Sequence, residues 1–232
     1  MEKTRILVWD LPVRAFHWLL ALSFAGAFLT AESERVRDLH VALGYTFAGL
    51  LVFRMVWGLI GSRHARFTSF AYGPRAVWRY VVSLLARRPE HYAGHNPAGA
   101  WAIFAMLALG FVIAGTGYAT YADIGGEAFE DLHEAAANAM LALVVVHVAA
   151  VLASSFVHGE NLVAAMITGR KQGAPEDGIR GTRWVPVAAL AAAVVGLWVA
   201  FFNAPDLSSA EARGPDAARG HPARGHDRGD DS

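Results

Sequence analysis

Five stretches of the sequence, 15–31, 39–60, 96–122, 135–157 and 184–205, contain no Asp, Glu or Lys and a single Arg, Arg54, close to the end of the second. An ionised side chain is costly at the centre of a bilayer, so charge-free runs of this kind mark membrane spans. A hydrocarbon core of ~30 Å calls for roughly 20 helical residues, and all five runs come near that length. None shows the in/out alternation that a membrane β-barrel requires, so helix is the expected conformation. The pattern predicts five membrane-spanning helices joined by polar loops. The segment 206–232, rich in Ala, Arg, Gly, Asp and Pro and free of aromatic residues, is expected to be a disordered polar tail.

Composition agrees with this pattern. The chain has 232 residues, of which 55% are hydrophobic and 17% charged. Soluble domains carry about 25% charged residues, so this chain cannot cover a water-exposed surface of ordinary size. The absence of cysteine excludes disulfides, cysteine-ligated iron–sulfur clusters, thiolate zinc sites and covalent haem attachment. A net charge of zero argues against a nucleic-acid partner.

The charges nevertheless lie unevenly. Lys3, Arg5 and Arg14 lead into the first run; Arg63, Arg66, Arg75, Arg79, Arg87 and Arg88 follow the second; Arg170, Lys171, Arg180 and Arg183 follow the fourth. The connections on the other side carry Arg35 and Arg37, or acids alone (Asp123, Glu127, Glu130, Asp131 and Glu134). Basic loops stay in the cytoplasm. The expected arrangement is a multi-pass membrane protein with a cytoplasmic N-terminus and a C-terminus on the outer side. The first run reads as a retained span, because Asp10 precedes it and Phe-His-Trp interrupts it, both unusual for a signal peptide.

Four of the ten histidines lie in or at the margins of the apolar runs: His17, His40, His133 and His147. An ionisable group at such a depth marks a functional site by default. With the orientation above, His17 and His147 lie toward the cytoplasm and His40 and His133 toward the outer face. This gives two tiers of two, each joining different helices. His133 and His147 are 14 residues apart, which at ~100° per residue returns to within ~40° of one helix face after ~21 Å of rise. A neutral imidazole is a good haem-iron ligand, and two on facing helices can hold a planar macrocycle within a bundle. Ala21, Gly44 and Ala137, each one turn after a histidine, leave room beside the ligand. Arg54 shares the face of His40 but sits in the cytoplasmic tier, where it either pairs with haem propionates or snorkels to the interface; Arg14 is a second propionate candidate. His158, beside Glu160 and Asn161, is a candidate contact for a quinone oxygen or a propionate. His64, His91 and His95, in the basic loop, are expected to be solvated. His221 and His226 fall in the tail.

The motifs VWDLPVRAFHW (8–18), LHVALGY (39–45), RMVWGLIGSRHARF (54–67), GHNPAGA (94–100), DLHEAAAN (131–138), VHVA (146–149) and HGENLVAAMITG (158–169) resemble the bacterial cytochrome b561 family, which includes the cytochrome b subunit of nickel–iron hydrogenases. The likeness covers roughly residues 5–172. It implies an all-α membrane protein, a four-helix transmembrane bundle holding two b-type haems, each with two histidine ligands. Carried over, His17 with His147 binds the cytoplasmic-side haem and His40 with His133 the outer one, in agreement with the two tiers. The chain then divides into a di-haem domain (1–172), a loop and fifth transmembrane helix (173–205), and the tail (206–232). The resemblance also implies a place in the bacterial inner membrane and electron transfer between quinone or quinol and a partner on the outer, periplasmic face: a hydrogenase, a c-type cytochrome or another redox partner such as a small oxidant. Two histidines per iron leave no open position, which favours electron transfer over oxygen chemistry. The acidic segment 123–134 is either a docking surface for a basic partner or a solvated loop. Two rival classes are a metal transporter, which the lack of intramembrane carboxylates disfavours, and a haem-free membrane anchor.

Overall fold

The computed structural model describes residues 4–86 and 90–203. Five helices are long and apolar enough to cross a membrane: α1 (Leu11–Thr30), α2 (Arg37–Ile60), α4 (Pro97–Tyr121), α5 (Glu127–His158) and α7 (Trp184–Asn203). Two shorter helices, α3 (Pro74–Leu85) and α6 (Leu162–Thr168), lie between spans. Two four-residue strands, β1 (Thr4–Leu7) and β2 (Arg170–Gly173), and three single 3-10 turns (Glu34–Val36, Phe67–Ser69 and Pro175–Asp177) complete the described elements.

The helix starts are written in the sequence. Asp10 caps α1 by accepting from the Val13 amide at 2.9 Å, with Pro12 in the first turn. Asn96 caps α4 through the Gly99 amide at 2.7 Å, with Pro97 following it, and Asn161 caps α6 through the Ala164 amide at 2.8 Å. Each side chain satisfies an amide that the helix leaves without a partner. α5 stops at Gly159, which takes the left-handed conformation that closes a helix without side-chain strain.

α5 corrects one expected boundary. It begins at Glu127, two turns before the charge-free run, so most of the acidic segment 123–134 is helix and not loop. Its carboxylates Glu127 and Glu130 fall in the first turn, where the positive end of the helix dipole favours them. The expected tail at 206–232, with His221 and His226, lies outside the described residues, as do Lys3, Arg87 and Arg88.

Packing is closest within two pairs, α1 on α2 and α4 on α5, and α2 against α4 joins them. Phe47 and Leu51 of α2 meet Leu107 and Ile113 of α4 and Ala136 and Met140 of α5 in one apolar cluster. α7 lies on the outside of the first pair, where Leu190 packs with Phe16 and Leu50 and the Trp198 indole donates to Thr46 Oγ1 at 2.9 Å. Large apolar side chains such as Leu22, Leu29, Val195 and Phe156 face outward, as lipid contact requires.

The basic end is a folded cap. β1 pairs antiparallel with β2, Leu7 opposite Arg170, so the start of α1 is clasped to the chain that leaves α6. The Gly169 carbonyl accepts from the amides of Val8 and Trp9, and a Cβ at Gly169 would stand 2.5 Å from the Trp9 carbonyl oxygen, so only glycine fits. Asp10, fully buried, also accepts from the Trp57 indole at 3.1 Å, which fastens the start of α1 to the end of α2.

Candidate functional site

Among the described residues, the backbones of α1 and α2 do not pack closely on α5, and side chains such as Phe47, Leu51, Ala136 and Met140 meet across the interval between the two helix pairs, the slot. The four intramembrane histidines sit on the three helices that border it: His17 on α1, His40 on α2, His133 and His147 on α5. Only Ala136 and Met140 are buried in the 32 residues of α5. A long apolar helix with so little protein cover either faces lipid all round or flanks a space that another group fills.

At one depth the rings of His40 and His133 face each other across the slot, centroids 6.3 Å apart and planes at 78°. His40 Nδ1 donates to the Ala27 carbonyl at 2.9 Å, and His133 Nδ1 to the Ile113 carbonyl at 3.0 Å, with Thr116 Oγ1 also nearby at 3.3 Å. A carbonyl on Nδ1 fixes the tautomer and leaves the Nε2 lone pair free, the usual second contact of a metal-bound histidine. The ring separation suits two imidazoles on opposite sides of one iron, allowing about 2 Å for each metal–nitrogen bond plus the half-width of each ring. Gly117 makes the arrangement possible, since a Cβ there would stand 2.8 Å from His133 Cε1. Neither Gly117 nor Thr116 stood out in the sequence; their meaning depends on α4 lying beside His133.

At the other depth His17 and His147 are close enough for their charges to interact, and the half-buried His17 ring has no partner for Nδ1. Arg14 reaches the Ile167 carbonyl with Nη1, while its buried Nε has no partner. Arg54 is 4% exposed and does not snorkel: Nη1 donates to the Ala65 carbonyl at 3.0 Å, and the guanidinium lies 4.6 Å over the Phe67 ring. A buried cation, Arg54, a partly exposed one, Arg14, and an unpartnered imidazole at this end suit a group that carries carboxylates. His158 Nδ1 donates to the Ser154 carbonyl at 2.9 Å, and its ring meets His91 edge-on at 5.0 Å. Among the described residues no three His, Asp or Glu gather as a bare metal ion would require, so the slot offers paired imidazoles only.

Two histidines expected to be solvated are instead part of the cap. His64 is buried and bonds the Asp177 carbonyl through Nε2 at 2.8 Å. His95 lies against Trp9 and Phe70, centroids 4.5 and 4.3 Å away, with Nδ1 out of solvent and without a partner. Loss of hydration, reinforced by the nearby Arg54 and Lys171, pushes the His95 imidazole down to about 3. Burial likewise lowers the Lys171 ammonium, against the pull of Glu160, while its Nζ donates to the carbonyls of Tyr92 and Ala93.

These shifts give a pH dependence of known sign. An unfolded histidine titrates near 6.5, so between that pH and about 3 the unfolded chain binds the extra proton at position 95. The stability that His95 contributes is complete above about pH 6.5 and falls as the pH drops toward its folded value. The thermal midpoint in detergent should therefore decline from pH 7 to about pH 4, and His95→Gln should flatten that decline. An unchanged slope in the variant contradicts the assignment.

With this geometry in view, the comparisons fit. Spanning helices that carry histidines at two depths are an architecture compatible with a membrane cytochrome. The family model of prokaryotic cytochrome b561 matches residues 8–169, and the chain belongs to that family. It is similar to proteins named probable Ni/Fe-hydrogenase B-type cytochrome subunit. That of Rhizobium leguminosarum bv. viciae is 24% identical over 216 positions, covering 74% of this chain and 90% of the relative. That of Azotobacter vinelandii is 27% identical, covering 72% and 89%. That of Azotobacter chroococcum mcd 1 is 32% identical over 149 positions, covering 53% and 62%. No solved structure matches the chain. The protein is a multi-pass membrane cytochrome of the b type, a carrier of haem b in electron transport.

Proposed function

We propose that the slot binds two haem b groups, one between His40 and His133 and one between His17 and His147, and that the chain passes electrons between the quinone pool and a hydrogenase on the opposite face. The observation that carries this reading is the His40–His133 pair, 6.3 Å apart on different helices with both Nδ1 atoms held by carbonyls. Haem iron bound at such a pair supplies one-electron chemistry at a potential set by ligands and burial. The protein's part is to fix the imidazoles, exclude water and place cations. Arg54 and Arg14, at the same end as His17 and His147, would pair with the carboxylates of the second haem, and the 14 residues between its histidines give α5 ~21 Å of rise along its axis.

The quinone site is assigned to the basic end, beside His158. With Nδ1–H donated to the Ser154 carbonyl, Nε2 of His158 is left as a hydrogen-bond acceptor, which suits a quinol hydroxyl more than a quinone carbonyl. A groove of about 380 Å³ lined by Leu152, Phe156, Gly159 and Glu160 lies at the same end of α5, with His158 outside its lining. Positive loops stay in the cytoplasm, which puts the quinone site on the cytoplasmic side of the inner membrane and the acidic start of α5 in the periplasm. There, Glu127, Glu130 and Asp131 offer a basic partner surface an electrostatic match near the His40–His133 tier. The hydrogenase partner is carried over from the names of the relatives.

The test is haem quantification by pyridine haemochrome on protein purified from haem-replete cells, followed by reduction with a quinol analogue. Two haem b per chain and quinol-dependent reduction are expected; a ratio of one or none refutes the assignment. Gly117→Val offers a check that leaves every ligand in place. Its added carbons displace the His133 ring, so occupancy at the His40–His133 site should fall while the other haem stays, seen as loss of one of two low-spin signals in electron paramagnetic resonance.

A further inference from the structure

α3 is not a span, and its two exposed sides differ in kind. Tyr80 is fully buried, and with Ser83 it faces the segment at 90–92: Tyr80 meets the Tyr92 ring, and Ser83 Oγ accepts from the Glu90 amide. Away from this contact, Trp78, Val81 and Val82 form an exposed apolar stripe at helical spacing, Trp78 being 73% exposed. Arg75 and Arg79 border the stripe, and Arg79 Nε also reaches Glu90 Oε1 at 3.1 Å. No protein element among the described residues covers the stripe.

We propose that α3 lies in the plane of the membrane surface, with Trp78, Val81 and Val82 in the acyl region and Arg75 and Arg79 against the phosphates of anionic phospholipids. Two observations select a lipid occupant. First, α3 is held beside a spanning helix: Trp101, near the start of α4, is half exposed and its indole donates to the Tyr72 carbonyl at 2.9 Å, which ties the segment before α3 to that helix. Trp184, at the start of α7, is also exposed at this end, and tryptophan concentrates at the membrane–water boundary. Second, an apolar face flanked by arginines is the pattern of an interfacial helix, where apolar burial and attraction to anionic headgroups act together. The inference does not depend on haem binding.

The chain has no cysteine, so single-cysteine spin labels report depth directly. Trp78→Cys, Val82→Cys and Arg79→Cys would each be labelled in the otherwise intact protein, reconstituted in phosphatidylcholine vesicles with and without phosphatidylglycerol. Labels at 78 and 82 should collide with oxygen and be shielded from a water-soluble nickel chelate, with the reverse at 79. A label at 78 open to the nickel chelate overturns the proposal, and so does one shielded from both probes, which would mean a second copy or another protein covers the stripe. The headgroup contact is read separately, as the selectivity of the protein for spin-labelled phosphatidylglycerol over phosphatidylcholine. Arg75→Gln and Arg79→Gln should each lower this selectivity by about fivefold, the effect of one basic residue near an anionic surface. Unchanged selectivity in the double variant refutes the arginine–phosphate contact.

Discussion

Replacing His40 or His133 by alanine should halve the haem content, from two haem b per chain to one, with the polypeptide still inserted in the membrane. Their rings face each other at 6.3 Å, and besides the proposed iron His40 contacts the Ala27 carbonyl and His133 the Ile113 carbonyl and Thr116 hydroxyl, so removing one imidazole withdraws half of that site's coordination. His17→Ala and His147→Ala should take away the other haem. The four variants therefore fall into two spectral classes: within a class the reduced-minus-oxidised spectra should coincide, and the two classes together should sum to the wild type. A variant that keeps both haems, or a His40→Ala spectrum resembling that of His17→Ala, would break the pairing.

The second large effect is expected far from any haem ligand. Asp10 is fully buried, caps α1 through the Val13 amide and accepts from the Trp57 indole. Asp10→Ala removes a helix cap, worth about 1 kcal/mol, and strands a buried indole N–H, at a cost of about 1–3 kcal/mol. The resulting loss of about 2–4 kcal/mol should appear as a marked drop in the temperature at which the detergent-solubilised protein releases haem. Asp10→Asn, which retains an oxygen acceptor of the same shape, should recover much of it. Equal losses in both variants would show that the negative charge, and not the hydrogen-bond geometry, holds the joint.

What the sequence disclosed follows from the range of the forces involved. The five spans were legible because a bilayer penalises charge residue by residue, a local property. The 14-residue interval between His133 and His147 was legible because helix periodicity turns spacing into direction. The cap was not. Thr-Arg-Ile-Leu and Arg-Lys-Gln-Gly carry no alternation to mark them as strands, and their pairing joins residues at opposite ends of the four-span unit. His64 and His95 looked solvated because their neighbours in sequence are polar, while the partners that bury them, Trp9, Phe70 and Asp177, come from elsewhere in the chain. Arg54 read equally as an interfacial cation until Phe67 and the Ala65 carbonyl enclosed it. The extension of α5 back to Glu127 escaped a reading by charge, because the carboxylates that end an apolar run also stabilise the start of a helix.

The pairing of β1 with β2 has a consequence for biogenesis. Residue 7 cannot meet residue 170 until the ribosome has delivered four spans and the short helix after them. Until then α1 and α5 have no tie at this end, and the space between the two hairpins stays accessible from the side where translation takes place. The clasp thus closes this end of the bundle last, once the fourth span has been made.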